Sequence, residues 1–136
     1  MSGADFLDST VLVYAHAADD PRKQKIAQTL LRQATSGRFV ISTQVLAEFA
    51  STLLHKVSQR ARTEAVIAML DALAPIRVVT PDSGMVRRAV EASAAFGIHF
   101  YDGMIVAAAE RANCERIWSE DLNAGQQYFG VTVDLF

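Results

Sequence analysis

Five short apolar segments, separated by stretches of helical periodicity, constrain the fold of this chain more than any other feature. Phe6-Leu7 open the first and Asp8 ends it. Phe39-Val40-Ile41, Ile76–Val79, Arg116–Trp118 and Val131–Val133 are the others. Strands this short and continuously apolar suit a parallel sheet buried on both faces, with helices as the crossovers. The intervening pattern predicts those helices. One covers Val11–Ala18. A second starts at Asp20-Pro21, with proline in the first turn, and runs to about Thr35 before Gly37. A third is capped by Ser42 or Thr43 and carries Val45, Phe49 and Leu53 on one stripe. A fourth covers Arg62–Ala74 and stops before Pro75. A fifth starts at Thr80-Pro81-Asp82 and ends near Gly97. A sixth, Met104–Ala112, is nearly all apolar and is expected to be capped by Asp102. The fold class is therefore α/β: three layers, α/β/α, around a central parallel sheet of about five strands. Ligands of such sheets bind beyond the carboxyl ends of the strands.

Residues 1–136 are expected to form one domain, since 136 residues leave no room for a second core. Hydrophobic residues are 51% of the chain, enough for a core without staples. The single cysteine, Cys114, excludes an internal disulfide and sits in no nucleophile context. Asp5 and Asp8 interrupt the first ten residues, so no secretory leader is expected there. The longest apolar run, Met104–Ala109, is far too short to span a membrane. A soluble, cytoplasmic protein is the expectation.

Four acids occupy places that such a sheet makes interesting. Asp8 ends the first strand, Asp121 follows the fourth, Asp102 opens the buried helix, and Glu48 lies within the helix after the second strand. Taken singly, each also fits a structural role: Asp8 and Asp121 as turn residues, Asp102 as a helix cap, Glu48 as a solvated carboxylate.

Their local contexts go further. Phe6-Leu7-Asp8-Ser9-Thr10-Val11-Leu12-Val13-Tyr14-Ala15 resembles the opening motif of PIN domains. Ile41-Ser42-Thr43-Gln44-Val45-Leu46-Ala47-Glu48-Phe49 resembles their second acidic motif, Phe100-Tyr101-Asp102-Gly103-Met104-Ile105-Val106-Ala107-Ala108-Ala109 the third, and Trp118-Ser119-Glu120-Asp121-Leu122-Asn123 the fourth. All four stand in family order and span residues 6 to 123. A chain of this length most resembles the VapC-type toxins within that family. There are departures. Thr10 stands where the family often has asparagine, and Asn123 replaces a further acid that some members carry. In the fourth motif Asp121 matches by register, with Ser119 as its hydroxyl partner, while Glu120 stays open as the fourth acid.

The resemblance implies a PIN-like fold and a metal-dependent endoribonuclease, with Asp8, Glu48, Asp102 and Asp121 as catalytic and metal-holding residues supported by Thr10, Ser119 and Glu120. Hard cations such as Mg²⁺ or Mn²⁺ take oxygen ligands and can serve phosphodiester hydrolysis without a histidine base. His16, His55 and His99 lie outside the four motifs and read as ordinary polar residues. The resemblance also implies an RNA substrate such as tRNA, cleavage leaving a 5′-phosphate, a VapB-like antitoxin whose tail would bring a basic side chain among the carboxylates, and a homodimer. No membrane partner is expected.

The formal charge of −2 and pI near 5.9 do not advertise a nucleic-acid binder. Setting the four acids aside moves the balance from −2 to +2, leaving a mildly basic remainder. Arg22, Lys23 and Lys25, then Lys56, Arg60 and Arg62, and the pair Arg87 and Arg88 are either phosphate contacts or solvated helix faces. Two other functions fit less of the sequence. A haloacid-dehalogenase-type phosphatase would need an aspartate where Thr10 stands and a later lysine, and none follows Lys56. A PIN fold that binds without cleaving has no use for all four acids.

Overall fold

A computed structural model describes residues 3–16, 19–55 and 61–136. Ala17, Ala18, Lys56 and Arg60, which figure in the helix and phosphate-contact readings above, lie outside them. Six strands form one sheet: β1 (Asp5–Leu7), β2 (Phe39–Ser42), β3 (Arg77–Val79), β4 (Arg116–Trp118), β5 (Gln127–Tyr128) and β6 (Val131–Asp134), in the order β3-β2-β1-β4-β6-β5. Five of them run parallel, with Asp5 opposite both Phe39 and Arg116, and only β5 pairs antiparallel, to β6. The added strand, β5, is two residues long and has no periodicity to read, so it was not among the five expected.

Six helices cover the sheet in a three-layer α/β/α arrangement: α1 (Ser9–His16), α2 (Pro21–Gln33), α3 (Thr43–His55), α4 (Thr63–Ala72), α5 (Ser83–Phe96) and α6 (Phe100–Arg111). Their starts follow from local chemistry. The Asp20 carboxylate accepts from the Lys23 amide with Pro21 at the first position, and the Asp82 carboxylate accepts from the Met85 amide. Ser42 Oγ accepts from the Val45 amide at the start of α3. Between α2 and β2 the chain makes a wide π turn over Ala34–Arg38, with Gly37 in the left-handed region at φ 88°.

One expected cap is corrected. Asp102 does not cap α6. The helix starts at Phe100, and the cap is His99, whose ring nitrogen accepts from the Tyr101 amide while its carbonyl accepts from the Gly103 amide. Asp102 instead sits in the first turn.

The core is continuous across the layers. Phe6, Leu7, Val40, Ile41 and Ile117 of the sheet are fully buried, with Val11 and Leu12 of α1 and Val45 and Phe49 of α3. Residues Gly103 to Ala109 of α6 are all buried, which explains why that segment reads as uniformly apolar rather than amphipathic. At Gly103 a side-chain carbon would stand 2.6 Å from the Ala89 carbonyl oxygen, so α5 crosses α6 at a distance only glycine permits. Arg88 locks the same pair: it forms ion pairs with Glu110 and Glu91 while its guanidinium lies 3.5 Å from the centre of the Phe129 ring. Among the described residues, no single helix is long and apolar enough to cross a membrane.

Candidate active site

Strand β1 delivers Asp8 to the carboxyl edge of the sheet, where it is 3% exposed. It stands three residues past Asp5. That other buried aspartate, at the amino end of β1, is held by the Trp118 indole N–H and Arg116. Asp8 is held differently. Its Oδ1 accepts from the Ser9 amide at 2.7 Å and its Oδ2 from the Ser119 hydroxyl at 2.6 Å, while its own amide donates to the Trp118 carbonyl. Burial nevertheless pushes its pKa up to about 6, against those two hydrogen bonds, and the charges of Asp121 and Asp102 push the same way.

The loop after β4 carries Asp121 into the same neighbourhood. The Asp121 amide donates to Ser119 Oγ at 3.0 Å, so one buried hydroxyl ties the backbone beside Asp121 to the carboxylate of Asp8. The Asp121 carboxylate itself has no hydrogen-bond or ion-pair partner among the described residues and is solvent-exposed. Glu120 behaves oppositely. Its carboxylate meets the Lys23 ammonium and accepts from the Tyr14 hydroxyl, and its amide donates to Thr10 Oγ1 at 3.3 Å.

Glu48 reaches the site from the second turn of α3. Burial raises its pKa to about 7, followed by the charge of Asp8 and then those of Asp121 and Asp102; a hydrogen bond from Gln44, one turn earlier, opposes the rise. Asp102 is half-buried on α6 and its pKa is also raised, by burial and then by Asp121, with the His99 imidazole opposing. Glu48 and Asp102 each feel Asp121, and Asp8 and Glu48 each feel Asp102. The four carboxylates thus share one electrostatic neighbourhood.

That neighbourhood opens on a cleft of about 930 Å³ between α1 and α3. Ser9, Thr10 and Tyr14 line one wall, Gln44, Glu48 and Thr52 the other, and Tyr101 and Asp121 the ends.

The match to known proteins decides the family. The PIN domain model matches residues 6–129. This chain belongs to the PIN-domain family. No curated protein matches it at the level of sequence. Among solved structures it is similar to the VapC20 toxin of Mycobacterium tuberculosis, described as cleaving the sarcin-ricin loop (TM-score 0.67, 18% identity, 84% of this chain and 87% of that one covered). It is also similar to a chain of VapBC2 from Rickettsia felis bound to a promoter DNA fragment (0.68, 16%, 98% and 98%). A toxin–antitoxin complex from Klebsiella pneumoniae matches likewise (0.70, 12%, 95% and 96%).

Within this PIN domain the donor set is all oxygen, and the pKa values of Asp8, Glu48 and Asp102 are raised by burial and by neighbouring carboxylates, so the place favours a hard cation. Among the described residues no three acidic, histidine or cysteine side chains stand close enough together to hold a metal ion as they are placed. Oxygen donors suit Mg²⁺ or Mn²⁺ better than a structural zinc site, which favours sulfur and nitrogen.

Several residues of the cleft escaped the sequence reading. Gln44 precedes Glu48 by one helical turn, and Tyr14 follows Thr10 by one turn on α1; that spacing was a readable signal. Tyr101 had none, because the reading began α6 at Met104, four residues after its actual start at Phe100. Two basic groups proposed for phosphate contact are otherwise engaged: Lys23 with Glu120, and Arg88 with Glu91 and Glu110. Cys114 is buried and its thiol is pushed up to about 12 by that burial, leaving it inert.

Proposed function

We propose that this PIN domain is a metal-dependent endoribonuclease acting as the toxin half of a toxin–antitoxin pair. The observation that carries the reading is the electrostatic coupling of Asp8, Glu48, Asp102 and Asp121 beside one cleft. Solved relatives that are themselves toxins or toxin–antitoxin complexes support it. The four carboxylates would hold Mg²⁺ or Mn²⁺, which would supply charge neutralisation at the scissile phosphate and a more acidic water.

The chain's own groups then have defined tasks. Asp8, anchored by Ser9 and Ser119, is the rigid member and fixes the position of the charge. Asp121, exposed and without a partner among the described residues, is available to cation and substrate. Glu48, whose pKa is raised to about 7, is the group best placed to exchange a proton with an attacking water. The substrate is RNA, such as tRNA, with a 5′-phosphate left on the product. A VapB-like antitoxin would neutralise the cleft by placing a basic side chain among the carboxylates, and the toxin would act in the cytoplasm as a homodimer. The family match removes the haloacid-dehalogenase-type phosphatase from consideration.

The test is RNA cleavage by the purified chain with Mn²⁺, with Mg²⁺, and with excess chelator, alongside melting curves under the same conditions. Cleavage and a raised melting temperature with metal, both abolished by chelator, are expected. Binding of RNA with neither cleavage nor a metal effect would favour the inert binding module.

A further inference from the structure

Glu120 and Asp121 are adjacent acids in the same loop, yet the structure treats them in opposite ways. The Glu120 carboxylate is engaged twice: one oxygen meets the Lys23 ammonium on α2, and the other accepts from the Tyr14 hydroxyl on α1 at 3.0 Å. Lys23 also lies 5.1 Å from the centre of the Tyr14 ring, so the three side chains form one closed contact. The Tyr14 ring is braced from behind by Phe136, edge to face at 5.4 Å. On the backbone, Thr10 Oγ1 takes the Glu120 amide and Ser119 Oγ takes the Asp121 amide. Four anchors from α1, α2 and β4 thereby fix a two-residue segment whose second carboxylate is left without a partner among the described residues.

We propose that Lys23 and Tyr14 are positioning residues: they hold Glu120 out of the carboxylate set and so aim Asp121 at the cation. This rests on the metal-dependent reading above. Because side chains of consecutive residues point in different directions, fixing Glu120 toward α2 fixes the direction left to Asp121. The ammonium holds the Glu120 carboxylate on the α2 side of the loop. Without Lys23, Glu120 would be a fifth carboxylate on a loosened loop, free to compete with Asp121. Lys23 is thus not a phosphate contact. It acts on the cation through Glu120 and the loop.

Mn²⁺ affinity is the deciding measurement, read by titration and by metal-dependent melting on Lys23→Met, Lys23→Arg, Tyr14→Phe, Asp121→Asn and the double variant Lys23→Met/Asp121→Asn. Loss of a group that orients a metal ligand typically weakens binding about tenfold or more. Lys23→Met is expected to weaken Mn²⁺ affinity by about that factor, with cleavage falling in step. Lys23→Arg, which can still meet the carboxylate, is expected to restore both. Adding Lys23→Met to Asp121→Asn is expected to weaken binding no further, because the two act through one carboxylate. The metal-free melting temperature of Lys23→Met should change little, because a single ion pair near the surface contributes little to stability; a purely structural role would instead lower it and spare the affinity. Unchanged affinity in Lys23→Met, or fully additive losses in the double variant, would overturn the proposal. Failure of the unaltered chain to bind Mn²⁺ would overturn the metal reading itself, an outcome separate from a null effect of Lys23→Met in a chain that binds.

Discussion

Ser119 donates its hydroxyl to Asp8 Oδ2 at 2.6 Å, although 111 residues separate the two in sequence. Ser119 Oγ in turn accepts from the Asp121 amide, and Ser119 is fully buried. One hydroxyl therefore orients two of the four acids. Removing it leaves the buried Asp8 carboxylate short of a partner, which costs about 1–3 kcal/mol where water cannot reach, and releases the Asp121 amide.

Ser119→Ala is accordingly expected to lower the melting temperature by several degrees. It should also raise the Asp8 pKa, since the hydrogen bond that holds it down is lost. The pH at which cleavage reaches its plateau should move up with it. Ser119→Thr keeps the hydroxyl and is expected to shift the profile little. Melting curves and a pH–rate profile on the three proteins check both effects.

The metal-free protein should become less stable as the pH rises toward neutrality. Asp8 titrates at about 6 in the fold against an ordinary 3.8, and Glu48 at about 7 against 4.5. Both bind protons more tightly folded than unfolded. Their protonated forms are therefore favoured by folding at low pH, and that contribution is lost as the pH rises through the folded values. A metal-free melting temperature higher near pH 5 than near pH 8 is expected. Mn²⁺ should reverse the trend, because it binds the ionised carboxylates: a large gain near pH 8 and little near pH 5. A metal-free melting temperature that climbs steadily from pH 5 to pH 8 would contradict the repulsion.

Gly103→Ala tests whether the close crossing of α5 and α6 matters for the site. The added carbon would stand 2.6 Å from the Ala89 carbonyl oxygen, and a backbone atom cannot swing aside. A shift of α6 against α5 is the only relief, at a cost of about 1–3 kcal/mol. Because Asp102 sits on the same turn, weaker Mn²⁺ binding should accompany the loss of stability. Calorimetric melting with and without Mn²⁺ reads both.

The sheet was legible in the sequence because its strands are buried on both faces: runs such as Phe39-Val40-Ile41 leave little choice of structure. The β5 strand was not, since two residues carry no pattern and Tyr128 is buried by tertiary packing alone. Asp102 read as a cap because aspartate is a common one. The actual cap is His99, a rarer choice that the sequence did not advertise. The grouping of the four acids came from their motif order, which encodes topology. The clamp on Glu120 joins Lys23 and Tyr14 to a loop 97 and 106 residues away, and pairing at such separation leaves no trace in a single sequence.

Asp8→Asn and Asp102→Asn should separate folding from function, and the structure now distinguishes them. Asp102 makes no hydrogen bond that starts α6, because His99 does so, and its side chain carries only a charge made unfavourable by burial and by Asp121. Asp102→Asn removes that charge, so the metal-free protein should melt at the same temperature or higher near pH 8. Asp8 is different. Its two oxygens accept from the Ser9 amide and the Ser119 hydroxyl, and asparagine keeps only one acceptor. Relief of repulsion is then offset by a lost charge-assisted hydrogen bond of about 1.5–3 kcal/mol, so Asp8→Asn should gain less than Asp102→Asn or lose slightly. In both, the stabilisation by Mn²⁺ should shrink from that of the unaltered chain, which is about 2.7 kcal/mol at a hundredfold excess over Kd, and cleavage should fall by orders of magnitude. If these residues served only as turn and helix-start groups, both variants would melt lower without metal, respond to Mn²⁺ like the unaltered chain, and cleave RNA at its rate. Melting curves with and without Mn²⁺, beside one cleavage assay on the same preparations, distinguish the two patterns.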